Sequence, residues 1–108
     1  LPVGTSILVN VSHPKYKYLI YTPTMRVAEN ISNSLNAYLA FRSTLLIMLE
    51  YGINSASVPL FCTGAGAMSI TKSCNQMKEA FISINNKIFI NGNWNIYHAH
   101  HRKLLNLT

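Results

Sequence analysis

Between Phe61 and Ser69 the chain reads Cys62-Thr63-Gly64-Ala65-Gly66-Ala67-Met68. Two glycines and two alanines leave the main chain uncovered, so successive N–H groups can turn toward one anion. Ser69 suits the cap of a following helix, whose free N–H groups and positive dipole end would act on the same anion. Upstream, Ile53 to Phe61 is short and apolar with little alternation, the pattern of a strand buried on both faces. Ligands of open α/β sheets sit beyond the C-terminal ends of strands. The chemistry this stretch suits is the binding of a phosphate or diphosphate; the competing reading is an ordinary turn of small residues.

Two familiar phosphate loops fit poorly. The pattern GxxxxGK[ST] nearly matches Gly66 to Ser73, but Thr71 stands at the second glycine and the chain has no Asp to hold magnesium. Lys72 would also fall inside the helix that Ser69 caps. The pattern GxGxxG finds Gly64 and Gly66 but then Ser69, and Asn85 and Asn86 occupy the region about 20 positions on where an acid is required. Elsewhere, His98, His100 and His101 invite a metal reading, with His98 and His101 on one helical face, but no carboxylate or cysteine stands near to complete a site, so no metal is expected. Cys62 heads an N–H-rich loop that can stabilise a thiolate, against the simpler reading of a small loop residue. Thr24 and Arg26 end a strand and either border a pocket or form a solvated loop. Trp94 and the four methionines read as packing residues.

The elements that must hold this loop follow from periodicity. Thr5–Val11 and Tyr16–Tyr21 are rich in β-branched and aromatic residues, with Pro14 and Pro23 around the second, and predict an antiparallel hairpin. Asn30, Ser32 and Asn33 are candidate caps for a helix over Ser34 to Tyr51, with Leu35, Tyr38, Leu39, Leu45, Leu46 and Leu49 at helical spacing and Gly52 just beyond its end. After Ser69 a second helix would bury Ile70, Cys74, Met77, Phe81 and Ile84. Ile88, Phe89 and Ile90, a Gly92 break and a segment from Trp94 to Leu105 that can be helical complete the chain. Strand, strand, helix, strand, helix, helix is α/β architecture, in one domain without an internal boundary.

Composition bounds the rest. The 108 residues are 49% hydrophobic and only 11% charged, enough for a core but with few charges to solubilise an exposed face. A missing segment or a partner is therefore expected to cover part of the surface, and the start at Leu1 suggests a fragment. The net charge is +6, with Glu29, Glu50 and Glu79 the only acids. Its cations are scattered, with no run above two, and no aromatic interleaving is read as a nucleic-acid platform. The charge is taken as a bias toward a phosphorylated ligand. Two cysteines make no disulfide scaffold, and neither a signal peptide nor a membrane span is visible, so a cytoplasmic protein is the default.

Taken in order, several segments resemble the macro-domain family, in particular its phage-like and bacterial Appr-1-p processing branch. Tyr18-Leu-Ile-Tyr-Thr-Pro-Thr-Met-Arg-Val27 is similar to that branch's strand with its Pro-Thr-Met-Arg loop. Asn36-Ala-Tyr-Leu-Ala-Phe-Arg42 resembles the start of its long helix. Gly52-Ile-Asn-Ser55 with Val58-Pro59 resembles its helix-to-strand join. Cys62 to Met68 resembles its Gly-Thr-Gly-x-Gly-Gly-Met loop. Gln76-Met77-Lys78, and Trp94 with His101 and Leu104-Leu105, resemble its closing helices. The resemblance spans about Tyr16 to Leu105 and implies a three-layer mixed sheet with flanking helices, lacking its N-terminal strands.

It also implies an ADP-ribose ligand, free or on protein or nucleic acid, and no cofactor. Thr63, Gly64, Ala65, Gly66 and Ala67, with Met68 closing the loop, would hold the diphosphate and approach the distal ribose; Cys62, Thr24 and Arg26 would border the pocket. Reader and hydrolase of ADP-ribosyl adducts or of ADP-ribose 1''-phosphate both stay open, as does a non-binding relative with a structural or interaction role. Cys62 and Ala67 stand where the branch often has Gly, and Ala67 is expected to keep negative φ. The family's adenine-reading Asp and its Asn/Gly-rich ribose loop have no counterpart in this chain.

Overall fold

A computed structural model describes residues 1–27, 29–85 and 94–108. The hairpin forms as its β-branched residues predict, though shorter. Strands β1 (Ile7–Asn10) and β2 (Tyr18–Tyr21) pair antiparallel, with Ile7 opposite Tyr21 and Asn10 opposite Tyr18. Three helices follow: α1 (Asn36–Tyr51), α2 (Ile70–Asn85) and α3 (Trp94–Leu105). The chain is thus an α/β domain with a two-stranded sheet among the described residues. A run of hydroxyls joins the base of the hairpin to α1: Ser6 Oγ meets Thr22 Oγ1 at 2.7 Å and Ser43 Oγ at 2.8 Å, and Thr22 Oγ1 meets Thr44 Oγ1 at 3.0 Å.

The ends of α1 are stopped by different means. At the C-terminus Gly52 takes the left-handed conformation (φ 66°), and the N–H groups of Gly52 and Ile53 close on Leu49 and Met48. At the N-terminus Leu35 cannot cap. Asn30, expected there, instead accepts the N–H and hydroxyl of Ser32 in a local turn, and neither Ser32 nor Asn33 caps the helix. The free N–H of Tyr38, in the first turn, is met from α2: Gln76 Oε1 accepts it at 3.2 Å. Gln76 Nε2 donates to Ser34 O at 2.7 Å and Leu107 O at 2.8 Å. One buried amide therefore caps α1 and fastens the C-terminal tail.

Two expectations from periodicity fail. Helix α2 buries Ser73, Gln76, Glu79, Ala80 and Ser83, while Ile70 is 63% exposed, Phe81 54% exposed and Cys74 exposed. Helices α1 and α2 pack on each other, Ala37 and Ala40 of α1 are buried, and of the expected stripe on α2 only Met77 and Ile84 are half-buried. On α1, Leu46 and Leu49 are likewise exposed. The second failure is the strand expected over Ile53 to Phe61. Asn54 to Leu60 is exposed and has no ladder partner among the described residues. A strand buried on both faces needs neighbours on both edges, and β1 and β2 pair only with each other. The three-layer mixed sheet therefore does not form among the described residues. The stretch Ile88 to Ile90, the Gly92 break and the side chain of Trp94 lie outside them. Among them no helix is long and apolar enough to cross a membrane.

Candidate functional site

The loop from Cys62 to Ser69 is fixed at both ends. Ser73 donates its hydroxyl to Phe61 O at 2.7 Å, holding the entry, and Ser69 Oγ accepts the Lys72 N–H at 3.1 Å, capping α2 as expected. The Thr63 hydroxyl turns back to Leu60 O at 2.9 Å. Within the loop, Ala67 N–H donates to Gly64 O at 3.0 Å and Met68 N–H to Cys62 O at 2.9 Å. Those two amides face inward and are spent on the turn, which takes Ala67 and Met68 out of the expected ligand set; the Met68 side chain is itself core. Thr63, Gly64, Ala65 and Gly66 remain, with N–H groups that meet no acceptor among the described residues.

The backbone explains which residue types this loop wants. Among the described residues the non-glycines with positive φ are Cys62 (71°) and Ala67 (61°). Ala67 was expected to keep negative φ and does not. It stands between two inward bonds, its own N–H to Gly64 O and that of Met68 to Cys62 O. Gly66 is constrained differently. A Cβ there would lie 2.7 Å from Ile31 Cγ1 and 2.9 Å from Cys62 O. The carbonyl of Gly66 accepts the Ile31 N–H at 3.0 Å, so the chain before α1 lies directly against the loop. Adjacent substitutions should then act in opposite directions. Ala67→Gly relieves left-handed strain and is expected to raise stability by about 0.5–1 kcal/mol. Gly66→Ala forces Ile31 and the loop apart and should lower it by about 1–3 kcal/mol. Urea unfolding of the two variants reads both signs.

The residues expected at the border separate. Cys62 points into the core with Ile31, Ala37 and Met68, and burial pushes its thiol up to about 11. A thiolate is thereby disfavoured, which removes the nucleophile reading. Thr24 is half-buried, and its carbonyl accepts the Asn36 side-chain amide at 2.8 Å. Arg26 does line a cleft of about 580 Å³, with Glu29, Asn30, Ile31, Asn33 and Asn36. Ile31 is common to this cleft and to the glycine loop. Lys72 lies in the first turn of α2 and its ammonium donates to Ser32 O at 2.9 Å, which does not suit the GxxxxGK[ST] reading. No group of three His, Cys, Asp or Glu among the described residues is placed to hold a metal.

Compared with known proteins, the chain matches no family model, no curated protein and no solved structure.

Two clusters escaped the sequence reading. His100, not His98 or His101, is the buried histidine of α3: Nε2 lies 2.9 Å from the Tyr38 hydroxyl and Nδ1 3.5 Å from Glu79, which also pairs with Lys103 at 3.0 Å. The signal available was Glu79 as the one acid of α2. The other cluster is the hairpin tip, where His13, Lys15, Tyr16 and Lys17 are all exposed. Its signal is the alternation Lys15-Tyr16-Lys17-Tyr18, an aromatic interleaving that the sequence reading did not take as a nucleic-acid platform.

Proposed function

We propose that this chain is a macro-like module that binds the diphosphate of ADP-ribose, or of an ADP-ribosyl group, at the glycine loop. The observation that carries the reading is conformational. Cys62 and Ala67, where the sequence departs from the Gly of the macro pattern, are the two non-glycine positions at positive φ among the described residues. The backbone has a shape at both positions for which glycine is the natural residue, which supports reading the departures as substitutions within that loop. Thr63, Gly64, Ala65 and Gly66 supply the N–H groups, and the N-terminus of α2 adds its dipole. The cleft beside Ile31 has the size of small-molecule sites, and Arg26 gives it a cation with no ion-pair partner among the described residues.

No carboxylate lies in the loop, so the reading extends to hydrolysis only through a water held by substrate and backbone. Release of ADP-ribose from a modified protein at saturating enzyme would mark a hydrolase; saturable binding without release marks a reader. The competing reading, a non-binding relative with an interaction role, draws on the exposed apolar faces of α1 and α2.

Calorimetric titration with ADP-ribose tests the proposal, and Gly64 supplies the control. A Cβ at Gly64 meets nothing within 4 Å, so Gly64→Glu should leave the fold intact while adding a negative charge to the loop. At an effective dielectric near 20, like charges about 4 Å apart repel by roughly 4 kcal/mol, so affinity should fall on the order of 100-fold or more. Equal heats from both proteins, or none from the parent, would refute the site.

A further inference from the structure

Away from the glycine loop, the tip of the β1–β2 hairpin combines planar rings, cations and open surface. Val11 N–H donates to Lys17 O at 3.2 Å and prolongs the ladder, so the tip projects on a paired stem. His13 organises it. Its Nδ1 accepts the N–H groups of Lys15 at 3.1 Å and Tyr16 at 3.3 Å, which leaves Nε2 to carry the ring proton. The same ring stacks on Tyr16, with centroids 5.3 Å apart and planes 29° from parallel. Lys15 Nζ stands 5.5 Å from the Tyr16 ring centre and Lys17 Nζ 5.3 Å from that of Tyr18. The rings are not packed away: Tyr16 is 45% and Tyr18 39% exposed. A shallow cleft of about 450 Å³ runs along the tip. No acid occurs before Glu29, so the cations Lys15 and Lys17 face no carboxylate from their own segment.

We propose that this tip is a binding site for single-stranded nucleic acid, without sequence preference. Unpaired bases offer π-faces that extend a ring stack, and the phosphates that join them take the lysines. The His13–Tyr16 pair is a preformed stack on which a base can be added. Lys15 and Lys17, held only over exposed rings, can turn to the backbone at little cost. Duplex suits the tip less well, because its bases are already stacked and present no face to Tyr16.

Fluorescence anisotropy of a labelled oligo(dT) with the whole chain tests this. Wild type should bind, with affinity falling as salt rises. Tyr16→Ala should weaken binding by about tenfold. Lys15→Gln with Lys17→Gln should flatten the salt slope by about 1.4, two phosphate contacts of a single strand. Arg102→Gln, the loss of one exposed charge on α3, should leave the affinity within about twofold. These side chains are exposed, so thermal unfolding should be unaltered in every variant. Equal binding of duplex, or unchanged affinity in Tyr16→Ala, would reduce the tip to a nonspecific charge and overturn the proposal; preference for anionic vesicles over oligo(dT) would do the same. ADP-ribose titration of Tyr16→Ala should be unchanged, which keeps this site distinct from the glycine loop.

Discussion

Gln76→Ala should lower the melting temperature by more than about 10 °C. Gln76 is fully buried and makes three hydrogen bonds to main-chain groups of two other segments. Removing it strands the N–H of Tyr38 and the carbonyls of Ser34 and Leu107. Each unsatisfied buried polar group costs about 1–3 kcal/mol, and the cavity adds to that. A total of 3 kcal/mol is a large fraction of the roughly 5–15 kcal/mol that holds a domain together, and in a chain of this size each kcal/mol moves the melting point by about 4–8 °C. Two further variants separate volume from bonding. Gln76→Leu fills the space but restores no bond, and Gln76→Glu keeps the acceptor but presents no amide to Ser34 and Leu107. Both should resemble alanine more than wild type. A melting point within 2–3 °C of the parent in Gln76→Leu, about half a kcal/mol, would show that packing and not capping holds α1.

The role of Gln76 marks where sequence legibility ends. Local signals were readable because their physics is local. The β-branched runs around Pro14 give the hairpin, Gly52 stops α1 as a left-handed residue, and Ser69 caps α2 three residues before Lys72. A cap supplied across 38 residues leaves no trace in the neighbourhood of Leu35. Burial was misread for a related reason. Ile70, Cys74 and Phe81 mark a face of α2 that favours leaving water, but periodicity does not say what else in the chain can cover it. The small row Ser73, Ala80 and Ser83 is buried instead, and its hydroxyls find carbonyls, Ser73 Oγ at Phe61 O and Ser83 Oγ at Ala80 O. The strand expected before Phe61 depended wholly on sheet neighbours that a single segment cannot announce.

The candidate site divides along the same line. That the chain bares its main chain between Cys62 and Ser69 was legible from Gly64, Ala65 and Gly66. Which N–H groups face outward was not, since that depends on carbonyls that return to Ala67 and Met68. The sign of φ at Ala67 belongs to the same geometry. A sequence shows that Ala stands where a related loop has Gly; only the fold shows that Ala bears the strain.

Acid should loosen the same helical interface from its other end, through His100. This residue binds α3 to both other helices, to Tyr38 of α1 and Glu79 of α2. Burial holds its pKa below the ordinary 6.5, with the Glu79 carboxylate opposing and Lys103 and Arg42 adding to the depression. The neutral ring fits its partners if Nδ1–H points at Glu79 and Nε2 accepts from the Tyr38 phenol, whose own pKa burial raises. Because the folded value lies under the unfolded one, the unfolded chain takes up this proton first as pH falls. Stability from neutral His100 is then complete above 6.5 and drains away as pH drops through 6.5 toward the folded pKa. Urea midpoints of wild type should fall between pH 7.5 and 5.5 more steeply than those of His100→Gln, which cannot titrate. Glu79→Leu should also destabilise at neutral pH, by about 1–3 kcal/mol, because it leaves the buried His100 Nδ1–H without its acceptor, while Lys103, 59% exposed, returns to water. Adding His100→Gln to it should then cost less than in the parent, since contacting residues couple. Parallel pH profiles for wild type and His100→Gln would mean that the ring takes up its proton equally in the folded and unfolded chain, and that α3 is held by other contacts.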